Sequence, residues 1–265
     1  MIRTPSSDPG DPSAATRVGE APTLVALDAT FSLRVSDREL GARLADVFRA
    51  LLGEGPAGHV ITVERGQEGE AAELSVDGRI IGATASFVGL VDALVSVLNQ
   101  AAIAESGRYL LLHAAAAELA ERVVLLPAES GSGKSTLVKH LVEDGFGYVS
   151  DEIVAIDPVT LSVVPYPKPL ILDAVVAPAP GATGGAISLI VSPLYRPGGG
   201  TFLRPLVRSQ AVLLLAENSF NFHDHGAGGL GTLARLARQC ETFRLDMDDS
   251  APAIAQIRSR LSGAA

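Results

Sequence analysis

The stretch Val123-Val124-Leu125-Leu126-Pro127-Ala128-Glu129-Ser130-Gly131-Ser132-Gly133-Lys134-Ser135-Thr136 decides how the rest of the chain is read. Its apolar start predicts a strand and its small residues a loop. After Lys134-Ser135-Thr136, Leu137, Val138, Leu141 and Val142 fall on one helical face. That is the layout of a phosphate-binding P-loop. Ser130, Gly131, Ser132, Gly133, Lys134, Ser135 and Thr136 are the expected nucleotide contacts. Backbone N–H groups freed by the glycines and the helix N-terminus would face the phosphates. Lys134 would reach the β- and γ-phosphates, and the Ser135 hydroxyl would ligate Mg²⁺. One residue departs from the G-x-x-x-x-G-K-[ST] pattern: Ala128, preceded by Pro127, replaces the first glycine. A Gly/Ser turn that happens to hold a lysine is the alternative, but the strand and helix on either side favour the P-loop.

A chain of 265 residues allows one large domain or two small ones, and 47% apolar residues suffice for a core. The net charge of −9 disfavours a nucleic-acid partner, whose phosphates it would repel. Cys240 is the only cysteine, which excludes an intrachain disulfide and a cysteine-based zinc site. No apolar run approaches a membrane span, and no basic-then-apolar secretory start is evident. The reading is a soluble cytoplasmic protein with no nucleic-acid or membrane partner.

Three segments emerge. Residues 1–22 are rich in Pro, Ser, Asp and Gly and read as a disordered tail. Residues 23–107 read as a small α+β module. In it a strand holds Phe31, Leu33 and Val35, and Ser36-Asp37-Arg38-Glu39 forms a capping box. The helix it opens carries Leu40, Leu44, Val47, Phe48 and Leu51 and stops at Gly53. A strand over His59 to Glu64, a hairpin around Asp77-Gly78 and a helix from Phe87 toward Gly107 follow. No polar cluster there points to chemistry, so it reads as a scaffold or docking module. Residues 108–265 carry the P-loop. Tyr109 to Leu119 and Arg122 to Leu126 predict a strand pair, and Ile153 to Ile156 with Leu161 to Val164 a hairpin. Pro178 to Ala186 and Pro197 to Gly200 read as loops. Helices near Ser209 to Glu217, around Leu230, Leu233 and Leu236, and at Ile254, Ile257 and Leu261 flank a strand at Phe243 to Met247.

A P-loop needs a carboxylate for Mg²⁺ and a group to orient or deprotonate the nucleophile. Val212 to Glu217 could be an apolar strand ending in a carboxylate, but Ser209 reads as a helix cap, so a helix is preferred. Asp151-Glu152 lies nearer in sequence, one helix and one short strand after the P-loop. His113, in the apolar Leu110-Leu111-Leu112-His113-Ala114, is either a structural strand histidine or a third member of the group.

The ordered set LHAAA, GSGKST, GYVSDE and PKPL resembles the HPr kinase/phosphorylase superfamily, above all its small HPr-kinase-like relatives that phosphorylate peptides such as lasso-peptide precursors. The resemblance covers roughly Tyr109 to Leu261 and implies an α/β fold: a mixed α+β N-terminal module plus a P-loop-containing domain of HPr-kinase-like, PEP-carboxykinase-like type. It further implies an ATP- and Mg²⁺-dependent kinase acting on a hydroxyl, with a serine of a peptide or small protein as acceptor. Asp151 would be the general base with His113 beside it, Lys134 would neutralise γ-phosphate charge, and Glu152 with Ser135 would hold the metal. Lys168 would contact phosphate or substrate, or else is an exposed loop lysine. Pro169 to Val175 lacks the family's Glu-Arg-Gly-rich signature, and Thr136 stands where an acidic residue is usual. Phosphorylase activity, HPr as substrate and hexameric assembly are therefore not carried over; a homo-oligomer stays open.

Two other readings remain: a nucleotide-binding regulator without transfer, and a kinase of a small-molecule hydroxyl. His223-Asp224-His225 places two imidazoles on one side of an extended segment, but no further metal ligand is evident. Arg204 and Arg208 read as surface residues or anion contacts, and Cys240 as a buried small apolar residue.

Overall fold

In a computed structural model the chain is described over residues 21–65, 71–172, 175–177 and 183–263. The tail expected over 1–22 lies outside them except for Ala21 and Pro22. The chain is α/β, with two large sheets.

The first sheet comprises β1 (Thr23–Ala26), β2 (Ala29–Val35), β3 (Leu52–Gly53), β4 (His59–Arg65), β5 (Ala72–Val76) and β6 (Arg79–Thr84), in the order β3-β1-β2-β4-β5-β6. Only β2 and β4 run parallel, because α1 (Arg38–Val47) crosses between them. The β5–β6 turn has Asp77 at φ 51° and Gly78 at φ 78°, the double positive φ that a type I′ turn requires. Two sequence expectations shift here. Asp37, not Ser36, caps α1, accepting from the Leu40 N–H at 2.8 Å, while the Ser36 hydroxyl accepts from Arg65 N. The helix also ends at Val47 rather than Gly53; a 3₁₀ turn over Arg49–Leu51 carries Leu51 into the core. Gly53 lies in β3, where a Cβ would sit 2.4 Å from Val25 Cγ2, so close approach explains the glycine.

Helix α2 (Phe87–Glu105), capped by Ser86, lays Leu90, Leu94, Leu98 and Ala102 against this sheet. Contrary to the sequence expectation, α2 is long and apolar enough, by length and composition, to cross a membrane. In the fold Leu90, Val91, Leu94, Leu98 and Ala102 are core, about a third of that apolar window being buried.

The second sheet contains β7 (Leu110–Leu119), β8 (Arg122–Pro127), β9 (Gly147–Ser150), β10 (Ile153–Ile156) and β11 (Ser162–Val164). After the ribbon β12 (Leu170–Leu172) and β13 (Val175–Ala177) come its remaining strands, β14 (Gly185–Tyr195), β15 (Phe202–Pro205) and β16 (Glu241–Met247). Its order is β11-β10-β7-β8-β14-β16-β15, with β9 also on β7. Strand β14, parallel to both β8 and β16, is central, although its first residues, Gly185-Ala186, fall in the segment read as a loop. The remainder of that loop up to residue 182 lies outside the described residues.

Alternate residues of β8 serve opposite layers. Val124 and Leu126 meet α3 (Lys134–Glu143) and α6 (Ser250–Ser262), whereas Val123 and Leu125 meet α4 (Arg208–Glu217) and α5 (Gly226–Gln239). Burial on both faces is why the strand reads as one apolar run. Helix α3 ends in a Schellman pair, Phe146 N to Leu141 O and Gly145 N to Val142 O, with Gly145 at φ 92°. Val207, not Ser209, sits at the N-cap of α4, and the Gln210 side chain accepts from its N–H.

The N-terminal sheet and the P-loop sheet are joined by a common core. Leu90, Leu94 and Leu98 cluster with Leu111, Ile153, Ala155 and Tyr166. Shared packing of this kind couples the two halves, so heat should unfold them in one transition. Leu98→Ala should cost about 2–5 kcal/mol and lower that single transition as a whole. Two calorimetric transitions, only one of them moved, would contradict the shared core.

His59 ties the first sheet to α2: Nδ1 lies 2.8 Å from Asp77 Oδ2 and Nε2 2.7 Å from Glu105 Oε1. The Asp77 bond, then the Glu105 bond, raises its pKa above the ordinary 6.5. A raised folded value means the stabilisation is complete below 6.5 and lost as pH rises through the folded pKa. The melting-temperature advantage of the wild type over His59→Asn should therefore shrink as pH is raised from below 6.5 into the alkaline range. A constant difference would refute this role.

Candidate active site

The P-loop turns where its glycines allow. Gly131 and Gly133 have φ of 80° and 89°, in the left-handed region that favours glycine. A Cβ on Gly133 would lie 3.3 Å from Tyr195 Cβ and 3.2 Å from Met247 Cε, so the ends of β14 and β16 support the loop closely. Ser132 O accepts from Tyr195 N at 3.0 Å. Ala128 has no positive φ, and it supplies only a carbonyl, which accepts from Lys134 Nζ at 3.2 Å. The missing first glycine therefore costs the loop nothing in conformation.

Asp151 and Glu152 owe their position to a break in a strand. Strands β9 and β10 lie end to end on the same side of β7, with Ser150 opposite Ala116 and Ile153 opposite His113. Between them Glu152 adopts φ 75°, and Ile153 N donates to Asp151 O at 3.0 Å. A two-residue-span hydrogen bond around a positive-φ residue is the rarer, strained form of γ-turn. The buried Ser150 hydroxyl staples it by donating to the Ile153 carbonyl. Both carboxylates thereby leave the ladder at the P-loop end of the sheet.

His113 is held at the facing position on β7. Once β8 departs at Pro127, the segment Asn218–Phe220 takes over that edge, and His113 N donates to Asn218 O at 2.6 Å. Its Nε2 lies 3.3 Å from Lys134 Nζ. Burial, then the Lys134 charge, lowers the His113 pKa, so the neutral ring can accept from the ammonium. The imidazole is thus placed against Lys134, with no hydrogen bond to Asp151 among the described residues.

The hydroxyl of Ser135 lies 3.4 Å from Asp151 Oδ1. Glu152, expected with Ser135 to hold the metal, directs Oε2 to Asn99 Nδ2 at 2.7 Å and Lys168 Nζ at 3.3 Å. Lys168 is no exposed loop lysine: its side chain is 4% exposed, against 58% for Glu152. Burial depresses its pKa, opposed by the charges of Glu152 and Asp151.

Two cavities flank this group. The larger, about 680 Å³, has Lys134, Ser135 and Thr136 on one wall and Tyr195, Met247 and Asp248 on the other. The smaller, about 220 Å³, is bounded by Asp151, Glu152, Lys168, Tyr148, Leu170 and Val95. Ser135 borders both.

No family model and no curated protein matches the chain. Among solved structures, the Hpr(Ser) kinase/phosphatase from Coxiella burnetii is similar over 58% of this chain and 99% of that one, at 11% identity and a TM-score of 0.34. A likeness that distant carries no argument, and the chemistry of the site must be read from its own residues.

Other candidates lie elsewhere. The His223 ring stacks on Phe222, and His225 Nε2 bonds the Tyr109 carbonyl at 3.0 Å. Arg204 pairs with the buried Asp246. Cys240 is buried and its Sγ lies 3.1 Å from Ile187 O. The sequence reading missed Asn99, Ser150, Tyr195 and Asp248. Asn99 carried no local signal, being 53 residues from its partner.

A buried ammonium facing a largely exposed carboxylate is a weak source of stability. Lys168→Met should therefore fold with a denaturation free energy within about 1 kcal/mol of wild type, or above it. A loss beyond about 3 kcal/mol would make the pair a structural element rather than part of a site.

Proposed function

We propose that the protein is an ATP- and Mg²⁺-dependent kinase of the HPr-kinase-like kind, which transfers the γ-phosphoryl group to a hydroxyl, in the first place a peptide serine. The observation that carries this reading is Ser135, which borders both cavities while Asp151 and Lys168 line only the smaller. A triphosphate in the larger cleft would meet the P-loop N–H groups and end beside Ser135. An acceptor entering the smaller cavity would meet Asp151 across the same point. The four ordered sequence motifs support the same reading.

The residues suit the metal. Ser135, Asp151 and Glu152 offer only hard oxygen donors, and among the described residues no three-membered His/Cys/Asp/Glu cluster forms a cage. Mg²⁺ favours such sites, completing its shell with phosphate oxygens and water. Ser135 and Glu152 would hold it, and when bound it supplies charge neutralisation on the β- and γ-phosphates.

The chain's own groups account for the remaining chemistry. Lys134, oriented by His113 Nε2 and the Ala128 carbonyl, places its charge where the transferred phosphoryl becomes more anionic. Asp151 accepts the proton of the acceptor hydroxyl as that oxygen bonds to the γ-phosphorus and the bond to the bridging β–γ oxygen breaks, releasing ADP. A cavity of about 220 Å³ admits a side chain or small molecule, which suits a flexible peptide better than a rigid protein surface. Use of ATP as donor suits a cytoplasmic enzyme.

The test is intact-mass analysis of a peptide pool and a small-molecule alcohol pool incubated with the protein and Mg-ATP. A phosphate-mass gain on a peptide, absent with Lys134→Ala, is expected; a gain only on small molecules would redirect the acceptor class. Asp151→Asn should retain Mg-ATP binding while transfer falls by roughly 10²–10⁴-fold. Equal loss of binding would make Asp151 a metal ligand and place the base elsewhere. Transfer undiminished in Lys134→Ala would remove the P-loop from the mechanism.

A further inference from the structure

We infer that helix α2 of the N-terminal module is part of the site, with Asn99 as the positioning residue that orients the Glu152 carboxylate for the metal. This inference rests on the kinase reading above. Asn99 and Lys168 converge on one oxygen, Oε2, at 2.7 Å and 3.3 Å. Two donors on one oxygen restrict the rotation of the carboxylate and would leave Oε1 for a cation to take. Outer-shell donors of this kind orient metal-binding carboxylates.

The way Asn99 is buried points the same way. Its side chain is 6% exposed, and its Oδ1 is buried without a hydrogen-bond partner. The amide must turn its NH₂ toward a carboxylate, which leaves the carbonyl in apolar surroundings. A leucine at that position, on the helix side of Val91, Val95 and Ala102, would carry no such desolvation penalty. An amide kept there is explained by what it holds rather than by packing.

The backbone of Glu152 adds the reason an outside support is needed. Its φ of 75° belongs to a strained turn, and its side chain is mostly solvent-facing. Among the described residues, without Asn99 the carboxylate has only Lys168, from a loop, to define its direction. One turn before Asn99, Val95 walls the smaller cavity, so the same helix orients the metal carboxylate and closes the acceptor space. The module read from sequence as a scaffold thereby contributes to the active site.

The experiment is a MgCl₂ titration of the binding of a fluorescent ATP analogue to the full chain, with a thermal melt of each variant. Asn99→Leu should move the Mg²⁺ midpoint upward by roughly 10–100-fold at an unchanged or higher melting temperature. Glu152→Gln should move it similarly, and the double variant no further than the larger single shift. Asn99→Ala, which removes the donor without adding a charge, should move it as far as Asn99→Leu. It serves as the test if the leucine variant does not fold. A wild-type midpoint in both Asn99 variants, with Glu152→Gln shifted, would overturn the role of Asn99 while leaving the kinase reading intact. A wild-type protein that binds the analogue without regard to Mg²⁺ would overturn both.

Discussion

The placement of Asp151 and Glu152 beside the Lys134 loop depends on the backbone of Glu152 turning through positive φ between β9 and β10. Had the strand continued, Asp151 and Glu152 would have pointed to opposite faces of the sheet, one of them into an apolar layer. The γ-turn removes both from the ladder and sends them toward the P-loop. Its strain, of order 1–3 kcal/mol, persists because pairing with β7 on either side and the Ser150 staple leave the chain no alternative. Opposite the break, His113 is the last residue of β7 paired to β10, so its imidazole comes to the same end of the sheet.

The proposed site also rests on the N-terminal module, because residues next to its carboxylates belong to a core that crosses the two halves. Leu98 and Asn99 are adjacent on α2; one enters the common apolar cluster and the other bonds Glu152. Ile153, next to Glu152, enters that cluster from the other side. Packing and site geometry are thus coupled through neighbouring residues, and a shift of α2 would be felt at Glu152 directly.

Local patterns in the sequence carry far. The strand, loop and helix around Lys134, the Asp77-Gly78 hairpin, the α2 periodicity and the β7–β8 pair each follow from spacing that a short window contains. Readings failed where tertiary context decides. Strand β14 opens with Gly185 beside a Pro/Gly/Ala-rich stretch and holds Pro193; its Ile187 to Val191 run suits a strand, but its central place comes from parallel pairing with β8 and β16. Ser36 and Asp37 were both suitable caps, and Ser36 is taken by Arg65 of β4, which no local pattern reveals. Lys168 is a loop residue whose burial the sequence left open, because that burial comes from elements far away in the chain. The role of Asn99 was invisible for the same reason: an amide in an apolar helix has meaning only once its partner is in place.

The central claim is that the two cavities meet at Ser135 as donor and acceptor halves of one reaction. A structure of the protein with Mg²⁺ and a non-hydrolysable ATP analogue tests it most directly. The account predicts the γ-phosphate between Lys134 and Ser135, with its free face toward Asp151 and room for an acceptor oxygen at about 3–3.5 Å. A nucleotide seated with its γ-phosphate turned away from Asp151, or lodged outside the cleft between the P-loop and Tyr195, would contradict it.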